Sequence, residues 1–168
     1  MTAPRVYLDW DGVINAEYPD PGWGETRDID DIFVWPAGLQ RIGLRYAPAL
    51  VDAINQLVDD GVELYWSTGW CASPTTPIVH AADLLGLRPG IVTPWRQHLT
   101  VAEWKVAHVQ AGVDNGARVA WVDDIEIDDL SSEQIQKLWV GEPLLIPTES
   151  MVGLTPKHME MIRVQLLG

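Results

Sequence analysis

Three short polar motifs in this sequence each directly follow a run of apolar residues. They are Asp9-Trp10-Asp11-Gly12, Ser67-Thr68-Gly69 and Asp123-Asp124. Apolar runs of this length with polar residues at their ends are typical of buried parallel strands. Ligands of open parallel sheets bind outside the carboxyl ends of the strands. If the three strands are neighbours, the motifs therefore meet in one crevice and can act on one ligand.

The first motif carries two carboxylates. Asp9 and Asp11 are two residues apart, so in extended backbone their side chains point the same way. Such a pair can hold a hard cation such as Mg²⁺, or one acid can attack as a nucleophile while the other transfers protons. Gly12 allows a sharp turn and a close approach by a bound phosphate. Taken alone, a solvated turn explains Asp-x-Asp-Gly equally well.

The acidic pair after the third apolar run is difficult to explain as a purely structural feature. Adjacent carboxylates such as Asp123 and Asp124 repel each other, and a bound cation relieves that repulsion. We therefore predict that both belong to a metal site. The later acids Glu126, Asp128 and Asp129 are predicted to form a solvated loop face.

Two further residues offer groups that suit a phosphate. The Thr68 hydroxyl can donate to a phosphate oxygen, and we prefer it to Ser67 because Gly69 follows it. An ordinary hydroxyl that satisfies backbone groups at the end of a strand is the simpler interpretation. Lys105 lies in the first turn of a helix that Thr100 caps, where the helix dipole disfavours a cation. That position suits an ammonium that offsets phosphate and carboxylate charge, although exposed first-turn lysines are common.

The elements that position these residues follow an alternating strand and helix pattern. This pattern predicts an α/β fold with a central parallel sheet. Helices are expected to begin near Pro48, Thr76, Thr100, Ser131 and Thr155, where a helix-capping residue or a first-turn proline precedes an apolar period. Residues 12–46 are rich in Gly, Pro and Asp and have no helical period. We expect a loop or small hairpin there, with Ile32–Trp35 as a possible strand.

Composition narrows the class of protein further. The 168 residues include 24 acidic and 11 basic side chains, a net charge of −13. Such a surface disfavours binding along a nucleic acid through a basic stripe, but it permits recognition of one phosphorylated end. A single cysteine excludes an intrachain disulfide and a cysteine-based zinc site. With no membrane-length apolar run and no signal-peptide pattern, we expect a single cytoplasmic domain over residues 1–168 and no membrane partner.

In their order along the chain, these motifs resemble those of the haloacid dehalogenase (HAD) superfamily of phosphohydrolases. That family has an Asp-x-Asp-Gly, a Ser or Thr, a Lys or Arg and a late acidic pair. More narrowly, the chain is similar to the HAD domain of multi-part RNA-repair proteins at three segments, which are 65–70 (Tyr-Trp-Ser-Thr-Gly-Trp), 119–124 (Val-Ala-Trp-Val-Asp-Asp) and 153–155 (Gly-Leu-Thr). The resemblance implies a three-layer Rossmann-like fold around the parallel sheet.

The resemblance also implies a role for each matching residue. Asp9 would be the nucleophile that forms an aspartyl-phosphate, and Asp11 would protonate the leaving oxygen, activate water and offer its backbone carbonyl to Mg²⁺. The implied catalytic set is Asp9, Asp11, Thr68 and Lys105, the implied substrate-binding set Gly12, Thr68, Gly69 and Lys105, and the implied metal set Asp9, Asp11, Asp123 and Asp124. Trp10 is bulkier than the residue that the family usually has between the two acids.

The spacing of the motifs limits the size of any cap over the site. About 55 residues separate Asp11 from Thr68, and one helix uses part of them. That leaves a flap over residues 13–46 and no large cap domain, which suits a large substrate. Tyr18, Trp23 and Trp35 on this insertion could stack on a base or pack the flap onto the sheet.

The sequence as a whole predicts a Mg²⁺-dependent phosphomonoester hydrolase that acts on nucleic-acid phosphate ends or nucleotides. A protein phosphatase and an inactive phosphate-binding module are the alternatives. A metal-dependent nuclease would use similar carboxylates. A phospho-acceptor signalling domain has these residue types in a different order.

Overall fold

The computed structural model describes residues 2–93, 95 and 98–168, and within them seven strands form two sheets. Five strands make a parallel sheet in the order β5-β4-β1-β6-β7, and two make a separate antiparallel hairpin. The strands are β1 (Arg5–Leu8), β2 (Arg27–Trp35), β3 (Gly38–Tyr46), β4 (Glu63–Trp66), β5 (Ile91–Val92), β6 (Val119–Asp123) and β7 (Leu144–Pro147). The predicted parallel sheet is therefore confirmed.

Helices cover both faces of this sheet, which gives the predicted three layers. They are α1 (Pro48–Asp59), α2 (Pro77–Leu85), α3 (Val101–Asp114), α4 (Ser132–Trp139) and α5 (Pro156–Leu167). Side chains alternate between the faces of a strand, so β1 directs Val6 and Leu8 toward a core shared with α1, α2 and α5. Tyr7 points the other way, into a second core with α3 and α4.

The insertion between β1 and α1 forms a hairpin, as the sequence suggested. Strands β2 and β3 pair over nine residues each, from Arg27 opposite Tyr46 to Trp35 opposite Gly38. One face packs on the core through Phe33 and Leu44, and the other face is exposed to solvent. Within the described ranges, no separate cap domain accompanies this hairpin.

The first residues of the insertion that we predicted over residues 13–46 are buried. They include Val13, Ile14 and Ala16, which follow a sharp turn after β1. The backbone N–H groups of Ile14 and Asn15 both donate to the Trp10 carbonyl, at 3.0 Å each, and these bonds close the turn. The flap proper is therefore the β2–β3 hairpin, residues 27–46.

Several of the nine tryptophans form part of the core, as expected of large aromatic side chains. Trp10, Trp66, Trp104 and Trp121 are almost completely buried, whereas Trp139 on α4 is mostly exposed. Among the helices described, none is long and apolar enough to cross a membrane.

Candidate active site

The register of the sheet brings the three predicted motifs to one edge. Leu8, the last residue of β1, lies opposite Trp66 of β4 and Val122 of β6. The next residue of each strand is therefore at the same level, and these residues are Asp9, Ser67 and Asp123. Backbone hydrogen bonds continue to this level, from the Asp9 N–H to the Val122 carbonyl (3.0 Å) and from the Ser67 N–H to the Leu8 carbonyl (2.8 Å).

Lys105 lies at the centre of this edge. Its ammonium Nζ is 2.6 Å from Asp9 Oδ2, 2.8 Å from Asp123 Oδ2 and 2.8 Å from Glu126 Oε2. The Lys105 side chain is only 2% exposed, and none of the three carboxylates is exposed by more than 14%. A buried charge is tolerated when it is paired and hydrogen-bonded, and here one ammonium donates to three carboxylates. The α3 helix thus supplies, through Lys105, the positive charge that balances the acids at this edge of the sheet.

Burial and the charges of its neighbours shift the pKa of each of these four groups. Burial raises the pKa of Asp9 to about 6, with Asp123 raising it further and Lys105 opposing both. Burial and the hydrogen bond with Asp123 raise the pKa of Glu126 to about 7. Burial acts to raise the pKa of Asp123, but hydrogen bonds with Glu126 and Lys105 outweigh it and hold that pKa below its usual value.

The pKa of Lys105 is also raised, which for an ammonium group favours the charged form. Burial acts to lower the pKa of Lys105, but the charges of Asp9 and Asp123 outweigh it, so that pKa lies above its usual value. The ammonium is therefore charged throughout the physiological pH range. The raised pKa values of Asp9 and Glu126 indicate that one ammonium does not fully compensate three carboxylates.

Glu126 is the residue that the sequence interpretation missed. We predicted it on a solvated loop face, and this was wrong, because the loop after β6 folds back on itself. The backbone N–H groups of Ile125 and Glu126 both donate to Asp123 Oδ1, at 3.0 and 2.9 Å. This turn directs the Glu126 side chain at Lys105. The other two acids of the segment, Asp128 and Asp129, are exposed as expected.

Asp9, Asp123 and Glu126 fit a hard divalent cation. Each offers an oxygen, and these oxygens all lie within 4.8 Å of one another. Oxygen ligands are those that Mg²⁺ prefers. When all three acids are ionised, the cluster with Lys105 carries a charge of −3 + 1 = −2, which one divalent ion balances.

The other two predicted metal ligands, Asp11 and Asp124, lie outside this group. The exposed Asp11 carboxylate accepts hydrogen bonds from Asn15 and Trp70 instead. The Asp124 carboxylate lies against Gly12, where an added Cβ would be 2.3 Å from its Oδ2 atom. Gly12 has φ +68° and is buried, which explains why a glycine is required at this turn. Asp124 thus packs against the loop that carries Asp11.

The predicted phosphate donors lie on the neighbouring strand end. Thr68 is buried, and its hydroxyl oxygen accepts the Trp70 N–H at the start of a 3₁₀ turn over Gly69–Ala72. Its hydroxyl proton stays available for a ligand oxygen. Ser67 is also fully buried, and in the described part of the chain its hydroxyl has no hydrogen-bond partner. Gly69 is exposed.

Trp10 does not obstruct the site. Its side chain is buried between Trp66 and Trp70, with ring centroids 5.7 and 5.9 Å away, on the side of the loop opposite to solvent. Of the aromatic residues in the insertion between β1 and α1, Trp23 donates its indole N–H to the Leu154 carbonyl at 2.6 Å, and Trp35 packs on Trp70. Tyr18 is exposed.

The buried cysteine near the site is not suited to nucleophilic chemistry. Burial raises the pKa of the Cys71 thiol to about 12, so at neutral pH it is protonated. The groups at this edge that can attack or transfer protons at neutral pH are therefore the carboxylates.

A parallel sheet with this acid and lysine cluster at its carboxyl edge is the architecture of the HAD class, which confirms the fold that the resemblance implied. Within that class, the family described as the HAD domain in Swiss Army Knife RNA repair proteins matches residues 5–159, so the chain belongs to this family. Membership supports a phosphatase-like function of the HAD type. No curated protein matches the chain, and neither does any solved structure.

Proposed function

We propose that this protein is a phosphomonoester hydrolase that acts through an aspartyl-phosphate on Asp9 and depends on Mg²⁺. The observation that carries the proposal is the buried contact of 2.6 Å between Asp9 Oδ2 and Lys105 Nζ at the carboxyl edge of the sheet. Phosphoryl transfer needs a positioned nucleophile and compensation of the phosphate charge, and this contact places both groups together.

The proposed reaction has two steps. Asp9 Oδ attacks phosphorus, the bond from phosphorus to the ester oxygen breaks, and Asp11 gives the departing oxygen its proton. Water then attacks the aspartyl-phosphate while Asp11 takes a proton from it, which releases inorganic phosphate and restores the Asp9 carboxylate. Lys105 Nζ, the Thr68 hydroxyl and the backbone at Gly12 and Gly69 would hold the phosphoryl oxygens.

The acidic cluster supplies the residues that would bind Mg²⁺ in this proposal. Asp9 and Asp123 would be its side-chain ligands, with the Asp11 carbonyl as the family resemblance implies and Glu126 or Asp124 completing the set. Bound Mg²⁺ would neutralise charge on the transferred group and help to orient it. Asp123 is buried, and two backbone N–H groups donate to its Oδ1 atom. These hydrogen bonds fix the orientation in which the carboxylate would bind the metal.

For the substrate we propose a phosphorylated RNA or DNA end, or a nucleotide. The family description supports this, because it names RNA repair. The small hairpin also supports it, because a two-stranded flap leaves more room for a large substrate than a folded cap does. The charge of −13 favours recognition of an end over binding along a strand.

The first test measures phosphate release with and without Mg²⁺. The substrates are an aryl phosphate, mononucleotides, phosphopeptides and oligonucleotides with 5′- or 3′-phosphate ends, and the matched variant is Asp9→Asn. We expect Mg²⁺-dependent release that the variant abolishes, together with an acyl phosphate on the native protein that hydroxylamine cleaves. Cleavage within an oligonucleotide would instead indicate a nuclease. Preference for phosphopeptides would indicate a protein phosphatase, and binding without release a phosphate-binding module.

A further inference from the structure

Both carboxylate oxygens of Asp11 are held by side chains of the protein. Asn15 Nδ2 donates to Oδ1 at 2.7 Å, and the indole Nε1 of Trp70 donates to Oδ2 at 2.9 Å. Asp11 is exposed, so water alone could solvate it, yet each oxygen has a donor fixed by the fold. The orientation of this carboxylate is therefore set by Asn15 and Trp70.

Both donors are in turn held by the β2–β3 hairpin. The side-chain oxygen of Asn15 accepts the backbone N–H of Arg45 in β3 at 2.9 Å. The Trp70 ring packs edge to face on Phe33 and Trp35 of β2, with centroids 5.5 and 5.3 Å away. The hairpin thus reaches Asp11 along two separate routes, one through each donor.

The hydrogen bond of Trp70 distinguishes it from several other tryptophans of the protein. The N–H groups of Trp10, Trp35, Trp104 and Trp121 are buried without a hydrogen-bond partner among the described residues. These indoles serve as apolar packing surfaces. Trp70 instead lies partly exposed beside the acidic loop and directs its donor at Asp11.

We propose that Trp70 is a positioning residue for proton transfer. Its indole N–H and the Asn15 amide together orient the carboxyl group of Asp11 toward the departing ester oxygen. The hairpin holds both donors in place. This inference rests on the proposed function, in which Asp11 donates that proton. General acid catalysis requires the carboxyl oxygen that donates the proton to lie within about 2.6–3.2 Å of the ester oxygen. A carboxyl group that rotates freely is therefore a poorer catalyst.

The experiment compares two substrates that differ in how much they need this proton. A nitrophenyl phosphate has a leaving group stable enough to depart as an anion, whereas a simple alkyl phosphate requires protonation. The test variant is Trp70→Phe, which keeps the aromatic packing and removes the donor. We expect its kcat on the alkyl phosphate to fall at least about tenfold more than its kcat on the nitrophenyl phosphate.

Two further variants control the comparison. Trp121→Phe removes an indole N–H that has no described partner and lies in the second core, away from Trp70, so it should leave the ratio of the two kcat values unchanged. Asn15→Asp keeps the acceptor for the Arg45 N–H but places a second carboxylate beside Asp11, and it should reproduce the selective loss. It also decides the matter if Trp70→Phe fails to fold.

The possible results are distinct. An equal loss of kcat on both substrates would overturn the positioning role, because it would indicate a structural effect. A gain in activity would also overturn it, because it would indicate that Trp70 restrains Asp11. A native protein that releases phosphate from neither substrate, nor from any substrate of the first test, would overturn the proposed function and this inference with it. An active native protein with unchanged ratios in Trp70→Phe and Asn15→Asp would overturn this inference alone.

Discussion

Replacing Lys105 with methionine tests the electrostatic account of the site most directly. Methionine keeps most of the apolar stem but removes the ammonium that donates to Asp9, Asp123 and Glu126. The variant leaves three carboxylates whose oxygens lie within 4.8 Å of one another. At an effective dielectric constant of about 20, each such pair repels by roughly 3–4 kcal/mol when ionised.

The variant can relieve part of that repulsion by binding protons. Removing one partner of a buried ion pair typically costs about 3–5 kcal/mol, because it leaves the other charge buried without its partner. We therefore expect Lys105→Met to lower the free energy of unfolding by about 4 kcal/mol at pH 7 in the absence of Mg²⁺.

The stability of the Lys105→Met variant should depend on pH in a defined direction. The carboxylates of the variant have pKa values raised above those of the unfolded chain, so the folded state binds more protons and its stability falls as pH rises. On going from pH 7 to pH 5, the variant should regain about 1.4 kcal/mol per pH unit for each proton taken up.

The assay is urea unfolding followed by tryptophan fluorescence at pH 5 and pH 7 in EDTA. Lys137→Met is the matched control, because its ion pair with Glu133 is exposed and should contribute nothing measurable. A Lys105→Met variant within about 1 kcal/mol of the native protein at pH 7, or one whose own stability does not rise from pH 7 to pH 5, would refute the reasoning.

Three more predictions follow from the same contacts. Because Mg²⁺ competes with protons on Asp9 and Glu126, whose pKa values are raised to about 6 and 7, the rise in Tm on adding Mg²⁺ should be larger at pH 8 than at pH 5; equal rises would contradict the assigned cluster. Glu126→Gln should fold normally but bind Mg²⁺ on the order of 10-fold more weakly by thermal titration, whereas Asp128→Asn, in the exposed part of the same loop, should not. Gly12→Ala should destabilise by more than Gly86→Ala in urea unfolding, because both have φ near +70° but only Gly12 has a neighbour, Asp124, that a Cβ would meet.

The parallel sheet could be predicted from the sequence because its strands are short, apolar and followed by polar motifs. The apolar run before Ser67 corresponds to β4 (Glu63–Trp66), and the run before Asp123 to β6 (Val119–Asp123). The hairpin was predicted only in part, since Ile32–Trp35 covers less than half of β2. A two-stranded ribbon with one wet face buries few side chains, and its exposed Asp and Arg residues resemble a loop.

The site was predictable where it depends on the ends of strands and unpredictable where it depends on turns. Asp9 and Asp123 were identified because each follows an apolar run, and Lys105 because the order of the motifs resembles that of the HAD superfamily. Glu126 was missed because its position depends on backbone hydrogen bonds to Asp123, although the spacing Asp-x-x-Glu directly after a strand was a usable signal. The bond from Trp70 to Asp11 spans 59 residues and depends on how the 3₁₀ turn meets the acidic loop. No local pattern reports such a contact.

The charge of the cluster also implies an order of binding. With all three acids ionised, Asp9, Asp123, Glu126 and Lys105 together carry −2, and a phosphoryl dianion brought to this edge would be repelled. A divalent cation makes the cluster neutral, and Lys105 can then attract the phosphate. We therefore expect inorganic phosphate to raise Tm in Mg²⁺ but not in EDTA. The exposed pair of Lys137 and Glu133 cannot produce such an effect, so Lys137→Met should behave as the native protein does. A phosphate effect of equal size in EDTA would mean that Lys105 alone compensates the ligand, and that the carboxylates near it stay protonated in the folded protein.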